Sequence, residues 1–201
     1  MSQADIQEIL SYWFGELQEG FAPENKRARW FAFDPEFDRD VASRFSHLVE
    51  AAANAGLDHW LSNPAGCLAF ILLTDQFTRQ IYRGQPEAFA LDSLALSAAR
   101  GGILRSFDRS LAWDERSFFY MPFEHSEDLL DQHTSVGLFS QLRDETPSGR
   151  KHLTGQSLRY AQSHRDIIQR FGRFPHRNPV LDRTSTRVER EYLAEGTQFG
   201  Q

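Results

Sequence analysis

Residues 65–82 read AGCLAFILLTDQFTRQIY, and the first nine positions of that run are apolar or small all round. A helix carrying such a run has no polar face to turn to water, so it must be wrapped on every side by other elements. Asn63-Pro64 in front supplies an N-cap followed by a proline at the first helical position, and Gly84 closes the segment. The run then passes directly into Asp75, with Arg79 one helical turn further on. A carboxylate in that position is expected to be at least partly buried and to need a partner or a raised pKa.

The remaining segments supply what should wrap that helix. Ile6, Ile9, Leu10, Trp13 and Leu17 recur at helical spacing, with Ser2 and Asp5 placed as a capping box. Asp34-Pro35 opens a helix whose apolar face is Phe37, Val41, Phe45, Leu48, Val49 and Ala52, ended by Gly56. Helices are further expected from Pro86 to Arg100, stopping at Gly101-Gly102, and from Asp114 to Met121, where Pro122 should break or kink the chain. Others are expected over 126–143, over 155–171 with Gly172 as stop, and from the Thr186/Glu189 capping box to about Gly196. No run of β-branched residues alternates with polar ones. The expected fold is all-α: roughly eight helices packed as antiparallel hairpins in a single domain, 1–201, with a frayed tail over 196–201.

Composition excludes several classes. The 17 Phe and 4 Trp predict a core rich in aromatic contacts. The single cysteine, Cys67, lies in the apolar run and reads as a small buried hydrophobe, which suits a reducing cytoplasm and excludes an internal disulfide. The N-terminus carries Asp5 and Glu8 and no basic stretch, unlike a signal peptide, and the longest apolar run falls far short of the ~20 residues of a membrane helix. Of 22 basic residues only Lys26 and Lys151 are lysine, and the net charge is −6, a poor balance for non-specific nucleic-acid binding. Arginine suits bidentate pairing with carboxylates better than lysine does. No phosphate-loop, dinucleotide, nucleophile-elbow, zinc-protease or di-iron motif is present, so no cofactor is indicated.

Three polar segments remain. LLTDQFTRQIYRG (72–84) holds Asp75 and Arg79; FEHSEDLLDQH (123–133) places Glu124, Asp128 and Asp131 on one face beside His125. HRDIIQRFGRFPHRN (164–178) gathers His164, Arg165, Asp166, Arg170, Arg173, His176, Arg177 and Asn178. His164 shares an inward stripe with Tyr160, Ile167 and Phe171, and Asp166 and Arg170 are one turn apart. In one account these groups are a structural ion-pair network, the arginines clamping the C-terminal loop to acidic helix ends. In another they line a cleft for a small anionic ligand or a protein partner, with Arg173 and Arg177 holding the anion. In a third, His125 or His164 serves as general acid or base of a hydrolase or lyase. A metal held by His125, Asp128 and His164 is a weaker alternative.

DQFTRQIYRG, YMPFEHSEDLLDQ and HRDIIQRFGRFPHRN, in this order and spacing, resemble the signature blocks of a bacterial family known as domain of unknown function 924, with WFG at 13–15 and the acidic helix after ST at 185–186 extending the likeness. The resemblance implies an all-α fold similar to the tetratricopeptide-repeat superfamily and no established activity. It carries over Asp75, Gln76, Arg79, His125, Glu127, Asp128, His164, Arg165, Asp166, Arg170, Arg173, His176, Arg177 and Asn178 as motif residues without assigning roles. This chain has Thr78 where proline is usual, which should permit a more regular helix, and Asp182 where glycine is common.

Overall fold

The computed structural model describes residues 3–195, and these form helices and turns with no strand beyond one isolated bridge between Gln18 and Phe21. The order is α1 (Gln3–Phe14), α2 (Glu24–Trp30), α3 (Pro35–Ala53), α4 (Pro64–Ile71), a π-helical segment (Leu72–Phe77), α5 (Thr78–Ile81), α6 (Asp92–Leu104), α7 (Trp113–Glu124), α8 (Leu129–Glu145), α9 (Lys151–Phe171) and α10 (Arg187–Ala194). With α4, the π segment and α5 taken as one continuous rod, the described residues make nine helices. The rod is central, as its sequence demands. Cys67 to Gln80 are all buried, and α1, α3, α6 and α7 pack around them.

Caps follow local chemistry. The Asp34 carboxylate accepts from Glu36 N and Phe37 N, Asn63 Oδ1 accepts from Gly66 N, and Thr186 and Glu189 form the reciprocal box at α10. Gly172 ends α9 with φ 70°, and Asp182 adopts φ 50°, the left-handed region that a glycine would occupy at least cost. The Ser2 and 196–201 expectations lie outside the described residues.

Several elements differ from the sequence expectation, and α9 begins at Lys151, about one turn before its expected start. α2 has no periodic apolar pattern; it is anchored by Trp30, whose indole Nε1 donates to Trp13 O at 3.1 Å. α6 begins at Asp92, after a 3-10 turn over Pro86–Phe89, and runs through Gly101-Gly102. Gly102 is required there by close approach: a Cβ would stand 2.4 Å from the Phe119 ring and 3.2 Å from Cys67 Sγ. α7 continues past Pro122 to Glu124 because Phe118, Phe119, Tyr120 and Phe123 are buried on its several sides and hold it in place. α8 starts at Leu129 with Asp128 as its N-cap, accepting from Leu130 N. The rod is not made more regular by Thr78. It is π-wound over the six residues before it, and the Thr78 hydroxyl donates back to the Thr74 and Asp75 carbonyls.

The core is aromatic. Trp13, Trp30, Phe37, Phe77 and Phe118 form a connected cluster, with Trp30 and Phe118 edge-to-face at 4.6 Å. A smaller cluster of Ile167, Ile168, Phe174 and Tyr192 seats α10 on α9.

Gly66→Ala tests how tightly the rod is gripped. The new Cβ would lie 2.4 Å from the backbone oxygen of Trp60, which cannot rotate away. Urea unfolding should show a loss of about 1–3 kcal/mol, in contrast to Gly137→Ala, where no atom lies within 4 Å.

Candidate functional site

A groove of about 970 Å³ runs between α7 and α9, closed on one side by the π segment and α5. α7 contributes Asp114, Ser117, Phe118, Met121, Glu124 and His125, which share one face at helical spacing. α9 contributes Leu153, Gln156, Ser157, Tyr160 and His164. The two C-terminal halves meet at one end, where the His125 and His164 rings are 6.3 Å apart.

The polar end is built on Asp75, which has no solvent exposure. Its Oδ1 lies 2.7 Å from His125 Nδ1 and 3.4 Å from Arg79 Nη1, and its Oδ2 accepts from Gln76 Nε2 at 2.6 Å. Burial pushes this carboxyl up, but His125, Arg79 and the hydrogen bonds outweigh it and hold it well below the usual carboxylate range. An ionised Asp75 can only accept, so His125 Nδ1 carries the proton and donates. With Nδ1 committed to Asp75, Nε2 is the ring nitrogen that keeps a lone pair. Burial lowers the His125 pKa, partly opposed by Asp75, which favours neutral imidazole with Nε2 as the basic nitrogen.

Glu124, 4% exposed, faces the same end of the groove. Its Oε1 is 3.1 Å from His164 Nδ1, which also lies 2.9 Å from the Tyr160 carbonyl and therefore carries its proton on that nitrogen. No cation offsets the burial of Glu124. Burial, with the Asp75 charge added, raises its pKa to about 8. Burial likewise lowers His164 to about 3 and His176 to about 4.

A chain of alternating charge continues from this centre. Arg79 reaches the Asp75 carbonyl and Asp92, at 3.0 and 3.1 Å to the two oxygens of Asp92. Asp92 in turn meets Arg177 Nη1 at 3.4 Å. The Arg177 guanidinium lies between the rings of Phe89 (4.7 Å) and Phe174 (4.5 Å). It is 6% exposed, and its Nε is buried with no protein acceptor. Burial lowers its pKa to about 10.

The structure therefore brings Arg79, His125, His164, His176 and Arg177 to the groove, with Asp75 beneath. Five expected residues lie elsewhere. Asp128 is an exposed N-cap. Arg165 pairs with its neighbour Asp166, so the Asp166–Arg170 pair does not form, and Arg170 stacks on Phe171 and Tyr192. Arg173 is clamped by both oxygens of Glu189, at 2.7 and 2.9 Å, and donates to Thr184 O. Asn178 is buried and donates to Ser185 Oγ at 3.1 Å. The His125–Asp128–His164 metal set does not converge, and no group of three His, Cys, Asp or Glu placed to hold a metal occurs among the described residues. Cys67 is buried, its thiol raised to about 11 by burial, and it is no nucleophile. Glu124 was read only as one acid of its segment's helix face, and Asp92 was not singled out by sequence reasoning. Glu124 follows the apolar stretch FFYMPF and so carried the signal that marked Asp75; Asp92, in an alanine-rich segment, carried none.

The raised pKa of Glu124 has a sign. The folded state holds this proton more tightly than the unfolded chain does, so stability falls as pH rises from the ordinary glutamate value toward about 8. Glu124→Gln should flatten the decline of the thermal midpoint between pH 6 and pH 8.5 and leave the His164-dependent loss below about pH 6.5 in place.

No curated protein matches the chain. A solved structure of a protein of unknown function from Agrobacterium tumefaciens is 38% identical, with a TM-score of 0.80, covering 96% of this chain and 98% of that one. The model of a bacterial family of proteins of unknown function, domain of unknown function 924, matches residues 9–197. Both the signature segments that build the groove and the helices that carry them fall within that match, and the chain belongs to this family.

Proposed function

We propose that the groove binds a small anionic ligand, with Arg177 as its receptor. The observation that carries this is the state of the Arg177 guanidinium. It is buried, stacked between two rings, and joined to protein by one long hydrogen bond to Asp92. A buried donor left unmatched costs about 1–3 kcal/mol, so a cation kept this way is accounted for by an acceptor from outside. Arg79 shares the buried, unmatched Nε but differs at its Nη groups, both of which are engaged by Asp75 and Asp92; it fixes Asp92 and adds positive potential. The size of the groove suits a small molecule rather than a protein segment, being near the top of the roughly 300–1,000 Å³ range of such sites. The buried lone thiol supports a cytoplasmic setting. No helix of the described residues is long and apolar enough to cross a membrane.

A second reading, an enzyme using proton transfer, is favoured by the opposed states of two neighbouring groups. His125 offers a basic Nε2 oriented by Asp75, while Glu124 holds a proton at neutral pH. Such a pair is what a general base and a general acid require.

Thermal unfolding with acetate, inorganic phosphate and citrate tests the first reading. At a hundredfold excess over Kd a bound anion raises the midpoint by on the order of 5–10 °C. Arg177→Gln should abolish that rise. Arg173→Ala should lower the ligand-free midpoint yet keep the rise, because its partner Glu189 lies outside the groove. Absence of any rise in folded wild-type protein rejects the reading. For the second, His125→Gln should keep the anion-induced rise and lose any turnover found with small carboxylate esters; turnover unchanged in His125→Gln rejects it.

A further inference from the structure

The groove is polar at one end only in the sense that matters for an anion. At the far end Arg27 is already engaged by Asp114, which also accepts from Ala22 N, and Arg150 pairs with Glu19. Their guanidinium groups lie against Phe21, and Arg27 also lies against Trp30. Between the ends the α7 face shows Phe118 and Met121, and α9 shows Leu153 and Tyr160, with Gln156 and Ser157 among them. Ser117 is turned to its own helix, its hydroxyl donating to Trp113 O at 3.1 Å. Phe31 lines the rim, stacked on Phe118 at 6.2 Å and 10°, yet 61% exposed. A large aromatic ring held open to water beside an apolar trough is expected to be covered when the trough is filled.

α7 also supplies a ruler. Phe118 and His125 are two turns apart on the same face, so the apolar stretch and the Arg177 end are separated by about 10 Å, the reach of an extended chain of about eight carbons. We propose that the ligand is an amphipathic monocarboxylate, its carboxylate at Arg177 and an apolar body of about eight carbons lying along α7 against Met121, Phe118 and Phe31. This rests on the anion-binding reading and adds the body to it. A second negative charge at the far end would meet Asp114 and Glu24 and no uncommitted cation, so dicarboxylates of that length are disfavoured.

Titration calorimetry with acetate, butyrate, hexanoate, octanoate and dodecanoate, with 1-octanol and octanedioate as controls, tests it. Affinity should rise about fourfold per methylene up to octanoate and then level off, and octanedioate should bind at least tenfold more weakly than octanoate. Phe31→Ala, at an exposed position on the rim, should weaken octanoate several-fold and leave butyrate unchanged. Arg177→Gln should abolish carboxylate binding. If acetate or inorganic phosphate binds as tightly as octanoate, the amphipathic ligand is overturned while the anion site stands. Should 1-octanol match octanoate in the wild type, the anion site itself falls. If no carboxylate binds, both fail.

Discussion

Asp75 has no contact with water, and an ionised carboxylate so placed costs several kcal/mol unless its surroundings replace the lost hydration. The rod cannot expel it, because the apolar run that precedes it forces the helix through the middle of the molecule. The fold supplies partners instead: His125 from α7, Arg79 from α5, and the neighbouring Gln76. Arg79 then needs a second anion and finds it at the start of α6 in Asp92, which draws in Arg177 from the 3-10 turn after α9. Three segments distant in sequence are thus tied by charges of alternating sign, and His125 joins α7 to them by a hydrogen bond. Removing Arg79, which both carboxylates share, would leave Asp75 without its buried counter-charge, a loss of about 3–5 kcal/mol.

The same centre separates two carboxylates by environment alone. Asp75 is surrounded by donors and stays ionised; Glu124, with only a neutral histidine against it and the Asp75 charge nearby, keeps its proton. The π-helical winding over Leu72–Phe77 contributes, since Asp75 and Gln76 lie within it and the Asp75 carbonyl serves Arg79 and Thr78 rather than only the backbone ladder. Insertions of this kind recur where a helix must present groups that regular winding would turn elsewhere.

How much of this was legible in the sequence depends on the range of the interaction. Caps at Asp34, Asn63 and Thr186 are local chemistry, and so is the central placement of the rod; both can be read directly. That Asp75 would need a partner was legible, and Arg79 one turn on was the visible candidate. His125, fifty residues away, was visible as a candidate acid or base in its own polar segment, but nothing local paired it with Asp75. Arg173, Asp128 and Arg170 carry the same residue types as true groove members, yet face Glu189, the start of α8 and Tyr192. For Asp128 the reason is local capping, whereas the directions of Arg170 and Arg173, on either side of Gly172, are decided by tertiary packing that no spacing rule encodes. The glycine common at position 182 in the family was a usable sign: Asp182 here holds the positive φ that such a glycine would accommodate.

HRDIIQRFGRFPHRN divides into side chains that clamp the turn from outside and side chains that line the groove. Glu127 takes the Phe174 amide at 2.8 Å and both Nη groups of Arg183 at 2.7 and 3.0 Å, while Arg183 also donates to Phe174 O. Arg173 ties the other side of the turn to Glu189. These outward clamps fix Phe174, which is fully buried between the His164 ring and the Arg177 guanidinium. A long, flexible side chain would otherwise lose considerable rotamer entropy on meeting a ligand. Held between Phe174 and Phe89 before any ligand arrives, Arg177 has already lost that freedom, and folding rather than binding has borne the cost. The clamps therefore stand outside the groove and still fix the position of the guanidinium that lines it.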